Sequence, residues 1–142
     1  MLNKYVSIDG NVNYKDWKKE QSELKKYIKT LEENNPKTSW SKNDKLAYWI
    51  NTYNALTIDM ILENFPVKTI KKIKNRWGKK LYKNKYSLGD IEHKILRKMN
   101  EPRIHFAINC ASRSCAKLLN EPYTGRKLEE QLKTITKAFL CN

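Results

Sequence analysis

The sequence predicts an α+β fold: a single, mainly helical domain around a buried central helix, with a small β-sheet beside it. Three observations carry this. The stretch between Lys45 and Lys68 contains no lysine or arginine, in a chain with 29 such side chains, and most positions from Leu46 to Phe65 are apolar. A helix apolar on nearly every side belongs inside a fold. Other segments repeat apolar residues at helical intervals, and residues 103–109 alternate as a half-buried strand does.

Taken in order, Trp17, Leu24, Ile28 and Leu31 recur at helical spacing among Lys and Glu, which predicts an amphipathic helix over 14–34, ended by Asn34-Asn35-Pro36. The central helix is expected over 42–65, capped by Ser41 with Asp44 in its first turn and closed by Pro66. Asn51, Asn54, Asp59 and Glu63 argue against a membrane span there. Asn51 and Asn54 lie one turn apart, so they either tie down a neighbouring loop or line a polar site. The stretch between Glu63 and Asp90 holds nine basic groups and no acid. It predicts a short helix near Thr69–Asn75 and a hairpin near Lys79–Tyr82 and Lys85–Leu88. A third helix over 88–100 starts at Ser87, with Asp90 at its third position, Tyr86 and Ile91 spaced as a hydrophobic staple, and Ile91, Ile95 and Met99 facing inward. The strand over 103–109 puts Ile104, Phe106 and Ile108 on one face and His105, Ala107 and Asn109 on the other. The last helix, 125–140, is capped by Thr124 and stapled by Tyr123 and Leu128.

The 142 residues leave room for one domain, 1–142. With 39% apolar and 11% aromatic residues the chain can fill a core despite a mean hydropathy of -0.81. The charge, 29 − 15 = +14, points to acidic partners. Lysine outnumbers arginine 24 to 5, however, and Lys lacks the planar fork that reads phosphate and guanine, which argues against nucleic acid as the partner. Trp77, Tyr82 and Tyr86 among the lysines could stack bases, but a solvated surface is the simpler reading. The N-terminus lacks the apolar run of a signal peptide, consistent with a cytoplasmic chain, a processed one, or one starting at an added Met.

The chemical signal lies near the loop Cys110-Ala-Ser-Arg-Ser-Cys115, directly after the expected strand. The chain's two histidines, His93 and His105, both stand shortly before it. A cysteine nucleophile needs a base or a positive environment to become thiolate near neutral pH, and histidine is the usual partner. In a regular strand His105 and Cys110 would point to opposite faces, which favours His93 as the base, with Asn51, Asn54 or Glu92 to orient it. Other readings use the same residues. Cys110 could be a core cysteine, Cys110 and Cys115 could form a disulfide, or both could join His93 and His105 in a Cys2His2 zinc site, although the spacing matches no recognised finger. No P-loop, dinucleotide fingerprint or EF-hand is present, and no cofactor is expected.

Four blocks then stand out: Leu46-Ala-Tyr-Trp-Ile-Asn-Thr-Tyr-Asn-Ala-Leu-Thr57, Ser87-Leu-Gly-Asp-Ile-Glu-His93, Arg103-Ile-His-Phe-Ala-Ile-Asn-Cys-Ala-Ser-Arg-Ser-Cys115, and Tyr123-Thr with Ala138-Phe-Leu140. Together they resemble the domain of unknown function 547 family over nearly the whole chain. The resemblance implies a compact helical domain with a small sheet, found in bacterial proteins that often carry export signals and at the C-terminus of longer plant proteins. It therefore implies a periplasmic or envelope location. The family pattern matches at Cys110, His93, His105 and the Asn51 and Asn54 helix. Plant members often carry Ser where Cys115 stands, which turns attention to Cys110. Two departures are Ala116, where Pro is usual, and the absence after Asn142 of the strand-like sequence found in bacterial relatives, which implies a domain shortened at its C-terminus.

Two functions follow as expectations. The first is a thiol-dependent hydrolase or transferase of peptide or amide substrates, with Cys110 as nucleophile, His93 as general base and Asn51 or Asn54 as orienter or oxyanion donor. The second is a non-catalytic module in which His105, Asn109, Arg113, Ser114 and Cys115 line a pocket for a small molecule or peptide.

Overall fold

Among the described residues seven α-helices follow in chain order: α1 (Leu2–Tyr5), α2 (Tyr14–Lys19), α3 (Gln21–Glu33), α4 (Lys42–Glu63), α5 (Leu88–Asp90), α6 (Ile104–Ala107) and α7 (Leu128–Leu140). After α5 the backbone widens into a π-helix over Ile91–Leu96 and tightens into a 3-10 turn over Arg97–Met99. The computed structural model describes residues 2–7, 10–65, 73, 80–83, 85–108 and 118–140.

The axis of the fold is α4. It starts where the Ser41 hydroxyl accepts from the Asp44 N–H at 3.1 Å, as the sequence predicts. From Leu46 to Leu62 most of its side chains are buried, with Ile50, Ile61 and Leu62 fully enclosed. α3 packs along one side and the π-helical segment along another. Two acids near the end of α4 meet partners: Gln21 of α3 donates to Asp59 at 3.0 Å and Glu63 at 3.2 Å, and Lys25 pairs with both carboxylates. This seam keeps the mostly buried Asp59, and Glu63 beside it at the surface, paired. At Gly125 the chain passes so close to the first turn of α4 that a Cβ there would stand 1.8 Å from Asp44 Oδ1 and 3.1 Å from its Cα.

The small β-sheet is not found among the described residues. Among the described residues there are only isolated antiparallel bridges, Val6 with Val12 and Tyr82 with Tyr86, and the architecture is helical rather than α+β. The expected strand at 103–109 is instead the four-residue α6. Ile104, Ala107 and Ile108 are buried while His105 is exposed, a three-four spacing that belongs to a helix. A run this short satisfies both periods. Packing on α7 decides, with the Phe106 and Phe139 ring centroids 4.8 Å apart and Arg103 donating to Glu129 at 2.8 and 3.0 Å. The expected hairpin shrinks to one tight turn, in which Lys83 takes the left-handed conformation at φ 53. Its anchor is aromatic: Tyr82 packs on Trp49 and its hydroxyl lies 2.7 Å from that of Tyr48.

Three helix boundaries also differ. The helix expected over 14–34 breaks at Glu20, whose carboxylate is taken by Lys4 and Tyr5 of α1, a helix with no signal in the sequence pattern. The segment over 88–100 starts at a Ser87/Asp90 capping box but is not one regular α-helix. α7 starts at Leu128, after a turn in which Thr124 Oγ1 accepts from Lys127 N–H at 3.2 Å. The helix expected near Thr69–Asn75 lies outside the described residues apart from Ile73, which is buried.

Candidate functional site

On α4, Asn51, Asn54, Ala55 and Ile58 stand at i, i+3, i+4 and i+7, one continuous stripe of the helix surface. This stripe floors a cavity of about 210 Å³, walled by Trp17 of α2, Leu24 and Tyr27 of α3, Leu2 of α1, and Leu118 to Tyr123 of the segment before α7. The walls are mostly apolar and aromatic, the usual make-up of a small-molecule pocket with a few polar groups to orient the guest.

Both asparagines act on backbone. Asn51 grips Tyr123 from two sides, its Nδ2 donating to the Tyr123 carbonyl at 2.7 Å and its Oδ1 accepting from the Tyr123 N–H at 2.8 Å. Asn54 Nδ2 donates to the Ala107 carbonyl at 3.0 Å. The same face of α4 therefore holds the chain just before residues 109–117 and just after them. Gln131 of α7 reinforces the second tie, donating to Pro122 O and Glu121 Oε1, each at 3.0 Å, and accepting from Thr124 N–H.

Two cavity residues carry unused hydrogen-bonding capacity. Trp17 and Tyr123 are only 1% and 3% exposed, and neither Trp17 Nε1 nor the Tyr123 hydroxyl has a hydrogen-bond partner among the described residues. Burial, with the Glu121 carboxylate nearby, pushes the Tyr123 hydroxyl well above its ordinary range, so it stays a protonated donor. Burial acts on Tyr27 in the same direction.

Of the residues singled out from sequence, the structure brings Asn51 and Asn54 together at this cavity. His93 lies on the π-helix and is exposed, and His105 lies on α6 and is exposed. Among the described residues no hydrogen bond reaches either imidazole, and Glu92, a possible orienter, is committed to Arg97 at 2.9 Å. Asn109, Cys110, Arg113, Ser114 and Cys115 lie outside the described residues, as does Trp77. No group of three or more His, Cys, Asp or Glu among the described residues is placed to hold a metal ion. Tyr82 is buried against Tyr48 and Trp49, so its ring is not available for base stacking. No described helix is long and apolar enough to cross a membrane.

Sequence reasoning misses Trp17, Tyr27 and Leu118 as cavity residues. In the sequence Trp17 is one member of an apolar stripe, and nothing in a single sequence distinguishes a Trp that fills a core from one that walls a cavity. Tyr123 is legible as the staple before α7 but not as a donor.

A mainly helical domain with an aromatic cavity against its central helix is thus the class defined by fold and geometry. The chain belongs to the family described as "Protein of unknown function, DUF547", whose model matches residues 37–140. Neither a curated protein nor a solved structure matches it.

Proposed function

We propose that this chain is a ligand-binding module whose pocket is the cavity on the Asn51–Ile58 stripe of α4. The observation that carries this reading is the cavity itself, about 210 Å³ of mostly apolar space beside two buried, unpartnered donors. An apolar void of about 150 Å³ already suffices to hold benzene, so the space suits a single-ring aromatic compound or a short alkyl segment. Isopropylbenzene titrated into isotope-labelled protein should shift the amides of the stripe and of residues 118–123 saturably. Ala55→Leu, which fills the space, should abolish those shifts while the far-ultraviolet circular dichroism is retained. If the shifts never saturate, or persist in a folded Ala55→Leu protein, the pocket reading is wrong.

A second reading, thiol chemistry at Cys110 on peptide or amide substrates, is favoured by the anchoring of Ala107 to Asn54 at the cavity floor. His93 is the proposed base, while the bonds that Asn51 and Asn54 make to backbone support a positioning role for them. The test is the pH dependence of iodoacetamide labelling at Cys110. The thiolate should form well below the free value of about 8.5, and His93→Ala should remove the shift. An unreactive Cys110, or one indifferent to His93→Ala, rules the pair out.

A further inference from the structure

We infer that the cavity takes the alkyl chain of a single-chain amphiphile and that the adjoining cleft of Asn3, Asn120 and Glu121 holds its polar head. This deepens the ligand-binding reading above and rests on it.

The wall of the cavity is mostly apolar, with Leu24, Ala55, Ile58 and Leu118 among its side chains. Leu2, Glu121 and Pro122 line it too, and the same three residues line a surface cleft of about 370 Å³ together with Asn3 and Asn120. One set of residues is therefore the rim of both spaces. The polar groups of the cleft are accessible, Asn3 being exposed and Asn120 and Glu121 half-buried. A side-chain amide both donates and accepts, so a pair of them suits a hydroxyl, amide or glycosyl head. A wholly apolar guest would leave this cleft unused, and a wholly polar one would gain nothing from the cavity, whereas an amphiphile meets in each space a surface of its own kind. Hydrogen bonds set its direction. On another side the cavity adjoins a groove of Trp40, Asp44 and Thr124, with which it shares Asn51 and Tyr123 alone. These two residues are tied at 2.7 and 2.8 Å, and a chain passing between them would break both bonds, so the head leaves past Leu2 and Pro122 instead. Volume sets the length of the tail: benzene in a void of about 150 Å³ occupies about 25 Å³ per carbon, and at that density 210 Å³ takes about eight carbons.

The test titrates straight-chain alcohols from hexanol to decanol, and the octanoyl amide of a piperidine nitroxide, into the isotope-labelled full chain at concentrations below those at which the probes aggregate. From hexanol to octanol the affinity should rise about 4-fold per added methylene, and the gain should stop beyond about eight carbons, where further methylenes lie outside the cavity. Ala55→Leu, which fills the cavity, should abolish octanol binding. The nitroxide marks the head: it should broaden the amide resonances of Asn3, Asn120 and Glu121 more strongly than those of Thr124 and Gly125, measured against the same probe reduced with ascorbate. The inference is overturned if Thr124 and Gly125 broaden more, if affinity climbs through decanol without a break, or if isopropylbenzene binds and the alcohols do not. The cavity reading survives each of those outcomes. If neither the alcohols nor isopropylbenzene bind, the cavity reading itself falls.

Discussion

At the scale of single residues, Asn51 shows how one side chain can set the position of a distant segment. Its amide satisfies both the donor and the acceptor of the Tyr123 peptide groups, far along the chain. Asn51→Ala would leave a half-buried N–H and C=O without partners, and the cost should be about 2–3 kcal/mol, read as a lower urea midpoint with an unchanged slope. Asn51→Asp is the sharper variant. A carboxylate can still accept from the Tyr123 N–H but repels its carbonyl, so much of the loss should remain at pH 7 and lessen as the pH falls below about 4. Equal stability of the Asp variant and the parent at pH 7 would show that the grip on the carbonyl contributes nothing. Part of this is legible in the sequence. Two asparagines one turn apart on a buried helix must find partners, whereas the partners, a backbone far along the chain for each, follow from the tertiary fold alone.

The elements show where a sequence pattern stops being decisive. The α4 helix is legible because the run from Leu46 to Val67, without a lysine or arginine, leaves no alternative to burial. The 103–109 run is not, because Ile104, Phe106 and Ile108 alternate while Ile104, Ala107 and Ile108 follow helical spacing, and the choice belongs to α7. The ion cluster at this junction is therefore open to test. Arg103 donates to Glu101 at 2.9 Å and to Glu129 at 2.8 and 3.0 Å, and these bonds hold both carboxyls below their ordinary value of 4.5. Both acids therefore take up protons at lower pH in the folded chain than in the unfolded one. Their contribution is present in full above about pH 5 and fades as the pH falls through the lowered values. Arg103→Met should melt below the parent at pH 7, with the gap closing between about pH 5 and pH 3. A gap of constant size across that range would show that Arg103 acts through packing rather than charge.

Across the whole molecule the excess of 14 positive charges has nowhere to go. Among the described residues ten acids already stand within 4.0 Å of a lysine or arginine, and the cations they engage number nine, against 29 in the chain. The cations in excess of the acids repel one another across the surface, and that repulsion is lower in the expanded, unfolded chain. Salt acts on both contributions but unequally. Ion pairs in contact lose little, and most exposed pairs are worth no more than about 1 kcal/mol, while repulsion across distances beyond about 10 Å is largely screened at 0.1 M. The melting temperature should therefore rise as sodium chloride goes from about 10 mM to 200 mM, where a molecule held together mainly by surface ion pairs would lose stability. The rise should level off once the screening length drops below the spacing of neighbouring lysines. A sulfate salt at equal ionic strength separates screening from ion exclusion, since exclusion strengthens apolar burial in any protein. If chloride leaves the melting point flat or lowers it, the ion pairs outweigh the repulsion, and the basic surface has to be explained by a bound acidic partner rather than by tolerated self-repulsion.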